Sequence, residues 1–241
     1  MKISSNLDAA SLAAAYGAAG RMHIPSFLDT ASAIALHDEL AAEQSWHFSI
    51  FVDGRSIEME SGDWRKLDAA SKHRTQEIVH DGANRDFAYM HYKLPIYDRY
   101  HAGGNLGPRA RSFFEFINGA PFLAFARRLT GCADIAFADA QASAFGPGHF
   151  ITIHNDDIDG KSRRAAYVLN LTPEWREDWG GYLNFFDEFG HISAGFKPAF
   201  NALNVFSIPA AHSVSTVALF AKKPRLAISG WLRAGVDPKR R

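Results

Sequence analysis

The 241-residue chain has a single cysteine, Cys132, so no intrachain disulfide can form, and a reducing cytoplasm is the natural setting. It has no charge of one sign to spare, because Lys plus Arg and Asp plus Glu number 26 each. Such a balance gives neither nucleic acid nor an anionic membrane a field to bind. The one local excess, Lys239-Arg240-Arg241, reads as a solvated tail. No apolar run is long enough to cross a bilayer, and Met1-Lys2-Ile3-Ser4-Ser5 lacks the continuous apolar stretch of a signal peptide. Also missing are a Gly-rich phosphate loop, a cysteine cluster, a Ser-His-Asp order, internal repeats and an interdomain linker. A cytoplasmic single domain is expected, partnered by neither nucleic acid nor membrane; its oligomeric state is left open.

What is present is apolar and aromatic. Nineteen Phe and five Trp in a 47% hydrophobic chain predict a well-packed core. The first half reads as helical. Asp8 precedes an Ala-rich helix that ends near Gly20, and residues 21–28 suit a short strand whose Pro25 marks an edge or an end. Asp29 and Thr30 suit the cap of a helix to Glu43, with Ile34, Leu36 and Leu40 on its apolar positions. Residues 47–52 and 57–59 pair as a hairpin around Asp53-Gly54, and a polar helix follows over 67–79. Residues 89–94 (YMHYKL) alternate as an edge strand or as the lining of a site mouth. Pro108 and Pro121 open two further helices, broken apart by Asn118-Gly119.

After Gly131 the texture changes. Short β-rich runs recur over 134–145, 149–154, 164–171, 181–186, 202–207, 213–220 and 225–233, between turn signals such as Gly146-Pro147-Gly148 and Lys222-Lys223-Pro224. This spacing predicts a sandwich or barrel, not a parallel sheet with crossover helices. The expected class is mainly β with N-terminal helices: a helical support over 1–130, a β-core over 131–235 and a basic tail over 236–241.

His154-Asn155-Asp156 opens the chemistry. In extended backbone alternate residues face one way, so His154 and Asp156 can converge. One imidazole and one carboxylate make two-thirds of the facial triad that holds non-haem iron(II), although the tripeptide alone also suits a polar loop. The triad needs a second His from a distant strand, and His212 heads a β-rich run. With Lys222-Lys223-Pro224 as a turn, His212 and Arg225 fall on neighbouring antiparallel strands. Arg225 then points into the sandwich, where a guanidinium needs an anion: a buried Asp or Glu, or a bound dicarboxylate.

Six segments then stand in order: GPGHFITIHND, RRAAYVLNLT, EWREDWGGYLNFF, NALNVFSIP, AHSVS and RLAISGW. Together, over about residues 135–233, they resemble the prolyl-hydroxylase branch of the 2-oxoglutarate- and iron(II)-dependent oxygenases. The resemblance implies a double-stranded β-helix core, of the jelly-roll or cupin-like kind. It implies Fe(II), 2-oxoglutarate as co-substrate and O2, and leaves ascorbate open as a reductant. The implied reaction hydroxylates an unactivated C–H bond and releases succinate and CO2. A prolyl residue of a protein or peptide is the first substrate expected, with a free amino acid or small metabolite as the alternative.

By the same resemblance His154, Asp156 and His212 are the iron ligands and catalytic centre, Arg225 binds the distal carboxylate of 2-oxoglutarate, and Ser229 brings a hydroxyl near it. Asp156 favours hydroxylation, because related halogenases lack this carboxylate. Three departures stand out. The interval from His212 to Arg225 is longer than usual, and Lys222 lies nearer the usual distance, but Trp231 sets the register on Arg225. A Tyr common on the central strand is replaced by Asn170, with Tyr167 nearby as a further co-substrate contact, and a Tyr before the Pro-Gly turn is replaced by Phe145. A cupin-like isomerase, lyase or metal-dependent binding module is the reading from another class, against which Arg225 in register with Trp231 argues. Gly180-Gly181 suits a tight strand entry, and His149 and His191 read as surface or turn residues. Trp175 and Trp179 read as core or rim aromatics; substrate contacts are sought at Tyr89, His91 and Trp179.

Overall fold

Asp8 accepts hydrogen bonds from the amides of Ala10 and Ser11, and Gly20 at φ 65° closes the far end, which bounds helix α1 (Ala9–Ala19). The structure is a computed structural model and describes residues 1–240; Arg241, the end of the basic tail, lies outside the described residues. Strand β1 (Arg21–Ile24) stops before Pro25 and lies at a sheet edge. Asp29 caps α2 (Thr30–Ala42) through Ser32 N–H. The buried stripe of α2 is Ala33, Leu36 and Leu40, at helical spacing. Ile34, expected among them, lies one position off that stripe and is 47% exposed.

Strands β2 (His47–Val52) and β3 (Arg55–Glu60) pair through a two-residue turn in which Asp53 and Gly54 both have positive φ, the geometry Asp-Gly favours. A short helix α3 (Ser61–Lys66), not anticipated, precedes α4 (Ala69–Ala83), which Asp68 caps. Then come β4 (Tyr89–Leu94), α5 (Ile96–His101), α6 (Pro108–Ile117) and α7 (Ala120–Thr130). The β-rich half supplies β5 (Ile135–Ala138), β6 (Gln141–Phe145), β7 (Phe150–His154), β8 (Arg163–Asn170), β9 (Leu183–Phe186), β10 (Ile192–Phe196), β11 (Ala202–Ser207), β12 (His212–Val214) and β13 (Arg225–Ala234).

These strands form a nearly closed, barrel-like jelly-roll. One wall runs β1-β11-β8-β13-β6-β4, the other β7-β12-β9-β10, and β4 joins them by pairing with β7. The hairpin of β2 and β3 extends the first wall from β4. Strand alternation sorts the side chains. On β8, Ala165, Tyr167 and Leu169 face the helices with Phe122 and Leu36, while Ala166 and Val168 face inward. No described helix is long and apolar enough to cross a membrane.

Four expectations change. Residues 89–94 form not an edge strand but an interior one, with β2, β6 and β7 as partners. The run over 213–220 is strand only to Val214, beyond which Val217 bridges to Gly180. Strands β12 and β13 are therefore not neighbours: β12 pairs with β7 and β9, β13 with β5, β6 and β8. The long interval from His212 to Arg225 crosses from one wall to the other. The tail is not wholly solvated either, since Asp237 accepts from Tyr97 and Lys239 pairs with Asp98 on α5.

Candidate metal and co-substrate site

Between the walls lies a cavity of about 520 Å³, at one end of which His154, Asp156 and His212 meet. His154 ends β7 and stands directly opposite His212 on β12, with ring centroids 4.1 Å apart. Asp156 reaches them by another route than alternation along a strand. The strand has ended, and Asp156 takes φ 63°, the left-handed region in which Asp is among the better-tolerated residues. Two contacts hold the turn: Arg163 Nη1 donates to the Asp156 carbonyl at 2.8 Å, and Asp157 N–H donates to Asn155 Oδ1 at 3.1 Å. Asp157 itself is exposed.

Asp156 Oδ1 is 3.6 Å from His154 Nε2, and its Oδ2 is 3.5 Å from His212 Nε2. One ligand atom from each of the three residues lies within 4.8 Å of the others. His154 Nδ1 is 3.0 Å from the Thr152 carbonyl and His212 Nδ1 is 2.8 Å from the Ala210 carbonyl, so both nitrogens carry hydrogen. That fixes the tautomers and turns two bare Nε2 lone pairs toward one point, the usual outer support of a metal-binding imidazole. Burial pulls His212 down to about 4, which keeps it neutral and available as a ligand.

Arg225 opens β13 with its side chain inward and is 2% exposed. Its one hydrogen bond is from Nη2 to Asn170 Oδ1, at 3.3 Å, and its Nε has no partner. Among the described residues no carboxylate pairs with it, so the buried Asp or Glu that would have explained it is absent. Burial lowers its pKa to about 10, so it stays charged at neutral pH. An unpaired buried cation costs several kcal/mol until an anion joins it. This cavity therefore suits a metal at one end and a carboxylate at the other.

The other expected residues divide. Ser229 lines the cavity on the Arg225 face of β13. Asn170 reaches Arg225 and donates to the Ala202 carbonyl at 3.2 Å. Tyr167 is among the residues lining the cavity, with its hydroxyl donating to the Asp139 carbonyl at 2.8 Å and its ring near Phe122 on the helical side. Tyr89 and His91 line the cavity; Trp179 does not, being buried edge-on against Trp175. His191 is exposed, but His149 is 7% exposed and packs against Phe48 and Tyr92, contrary to a surface position.

Sequence reasoning missed Phe87, whose ring lies 5.0 Å from that of His154, and the inward-facing Arg163. Alternation gave no signal for Arg163, which shares parity with the helix-facing Ala165 and Tyr167; a register shift against Leu232 and Arg233 breaks the pattern there, with Arg164 out on Asp134 and Arg163 lining the cavity. Arg163 Cζ lies 3.5 Å over the Trp231 ring, and both Arg163 Nε and Trp231 Nε1 are buried without acceptors.

Residues 140–233 match the family model described as the 2OG-Fe(II) oxygenase superfamily. The mouse prolyl 3-hydroxylase OGFOD1 is 34% identical over 107 residues, 42% of this chain. The match covers only 17% of that relative's length. A Pseudomonas putida prolyl-4-hydroxylase superposes with a TM-score of 0.60 at 16% identity, covering 95% of this chain and all of the other. A Trichoplax adhaerens prolyl hydroxylase, in complex with a hypoxia inducible factor oxygen degradation domain peptide fragment, gives 0.62 at 14% identity, covering 94% of this chain and 89% of the other. The β-core is thus similar in sequence to 2OG-Fe(II) oxygenases, and it carries the His-Asp-His group described above.

Proposed function

We propose that this chain is an Fe(II)/2-oxoglutarate-dependent dioxygenase that hydroxylates a prolyl residue of a protein or peptide. The observation that carries the reading is the pairing, in one cavity, of a His-Asp-His group with a buried guanidinium that lacks an anion. A cupin-like isomerase needs the first and has no use for the second. Bound together, Fe(II), 2-oxoglutarate and O2 supply the oxidant for C–H hydroxylation, with succinate and CO2 as products.

The chain's residues have distinct tasks in that reading. His154 and His212 hold metal through Nε2 while their Nδ1–H groups stay on backbone carbonyls, and Asp156 contributes the one negative ligand. Arg225 takes the distal carboxylate of 2-oxoglutarate, and the apolar walls at Ile151, Leu183 and Val214 exclude water around its methylenes. Arg163 and Trp231, stacked on one another, line the cavity beside the metal group and bound the space left for substrate. The similarity to prolyl hydroxylases, one in complex with a peptide, supports the same class of substrate.

The test is succinate release by the purified protein with Fe(II), 2-oxoglutarate and O2, compared across proline-containing peptides, free proline and other amino acids. Peptide-stimulated succinate with a hydroxylated prolyl product is expected. Stimulation by free amino acids alone would move the substrate to the small-metabolite class. Absence of 2-oxoglutarate turnover and binding would return the site to cupin-like chemistry.

A further inference from the structure

Arg225 does not stand alone at the far end of the cavity. Arg225 faces Phe145 and Tyr92 faces Ala144, so His91, Phe145 and Arg225 form one row across β4, β6 and β13. The His91 ring stacks on Phe145 at 4.8 Å and 28°, while Arg225 Cζ lies 5.2 Å from the same ring. His91 is 3% exposed yet lines the cavity, as does Arg225. Its side-chain hydrogen bond is at Nδ1, 3.0 Å from the Tyr92 carbonyl, so Nδ1 carries the hydrogen and neutral Nε2 is a bare lone pair. At the two positions where the resemblance leads one to expect tyrosine hydroxyls, the chain has Phe145 and Asn170.

We infer that His91 is a second holder of the distal carboxylate of 2-oxoglutarate, beside Arg225, and that it takes up a proton as the carboxylate enters. The inference rests on the reading of the cavity as a 2-oxoglutarate pocket. Its logic is that of a donor in short supply. A carboxylate oxygen is repelled by a lone pair and attracted by an N–H, and the Nδ1 hydrogen is held by the strand, so only a proton gained at Nε2 makes His91 a donor. In the empty pocket the ring is neutral, held down to about 4 by burial and by the cations Lys93 and Arg225. The other titratable groups around it are Tyr89 on the same strand, His149 behind the Gly146 turn, and Glu58, which is engaged by Lys93. None of them supplies a free negative charge. An entering carboxylate does, and it offsets Arg225 at the same moment.

Calorimetric titration of 2-oxoglutarate into the Mn(II)-loaded protein, in buffers of low and high ionisation enthalpy, tests this without turnover. Uptake of about one proton near pH 7.5 is expected, with Kd rising about ten-fold per pH unit between the free-state and bound-state pKa values of His91 and levelling off above the latter. His91→Phe should weaken binding about ten-fold and abolish the uptake. His91→Gln, whose amide donates without titrating, should keep binding within about three-fold while losing both the uptake and the pH slope. Tight 2-oxoglutarate binding with buffer-independent enthalpy, or wild-type affinity in His91→Phe, overturns the role of His91 and leaves the pocket reading standing. No 2-oxoglutarate binding by the wild-type protein overturns both.

Discussion

At the scale of single residues, the site joins unusual backbone to unusual charge. Asp156 sits in the left-handed region, which costs most residues of order 1 kcal/mol but Asp and Asn less. Asp156→Asn therefore keeps both the shape and the backbone preference and removes only the charge. We expect it to lose Fe(II) on desalting, as measured by metal content, because a neutral amide is a much poorer ligand for a hard divalent cation. Asp157→Asn, exposed next door, should retain iron, and the reverse outcome would transfer the ligand role. Arg225 gives a second contrast. Its buried charge has no carboxylate partner among the described residues, so Arg225→Met should melt no lower than wild type in the absence of ligand, and yet should lose 2-oxoglutarate binding. A clear drop in melting temperature would mean that Arg225 has an anion within the chain after all.

At the scale of elements, the Gly180-Gly181 entry to β9 shows how tightly neighbouring segments of one wall pack. Gly180 has φ 67° and ψ −147°, a region open essentially to glycine alone, and a Cβ there would lie 2.2 Å from the Thr216 carbonyl. Gly180→Ala should lower stability by about 2 kcal/mol or more, read by urea denaturation, and an unchanged midpoint would show that the loop after β12 moves aside freely. Elements with a local signature were legible in the sequence: α1 and α2 from their Asp caps, the hairpin from Asp53-Gly54, and β8 and β13 from the apolar runs opened by Arg164 and Arg225. Those whose state depends on distant partners were not. The exposed ends of β10 and the one-turn helices α3 and α5 carry little periodicity, and β4 is interior only because β6 and β7 flank it. The residues of the candidate site were legible, but their assembly was not. His212 and Arg225 share a cavity from opposite walls, and Asp156 converges through a turn that no alternation rule foretells.

At the scale of the whole molecule, closing the walls buries titratable groups that the open chain leaves in water, and this sets the response to acid. His91 and His149 are both held neutral, at about 4 against an ordinary 6.5, chiefly by burial. His149 has a geometric reason as well, since its Nδ1 accepts from Gly146 N–H at 3.1 Å and cannot also carry a proton. The unfolded chain binds protons at these histidines below about pH 6.5 while the folded chain refuses them until about 4, so acidification through that window favours unfolding. Each histidine is worth about 3 kcal/mol at most across it, at roughly 1.4 kcal/mol per pH unit. Asp139 works the other way. Burial raises it to about 6, so the folded protein takes its proton from about pH 6 downward while the unfolded chain waits until about 3.8, and acidification favours folding by a similar amount. His212 is also held near 4 by burial, so three groups against one leave a net loss, and the urea midpoint of the metal-free protein should fall from pH 6.5 to 4.5. His149→Gln, whose side-chain carbonyl can still accept from Gly146, should flatten that fall, and Asp139→Asn should steepen it. Parallel pH profiles in the wild type and both variants would mean that burial does not set these charges, and that the acid response arises elsewhere in the fold.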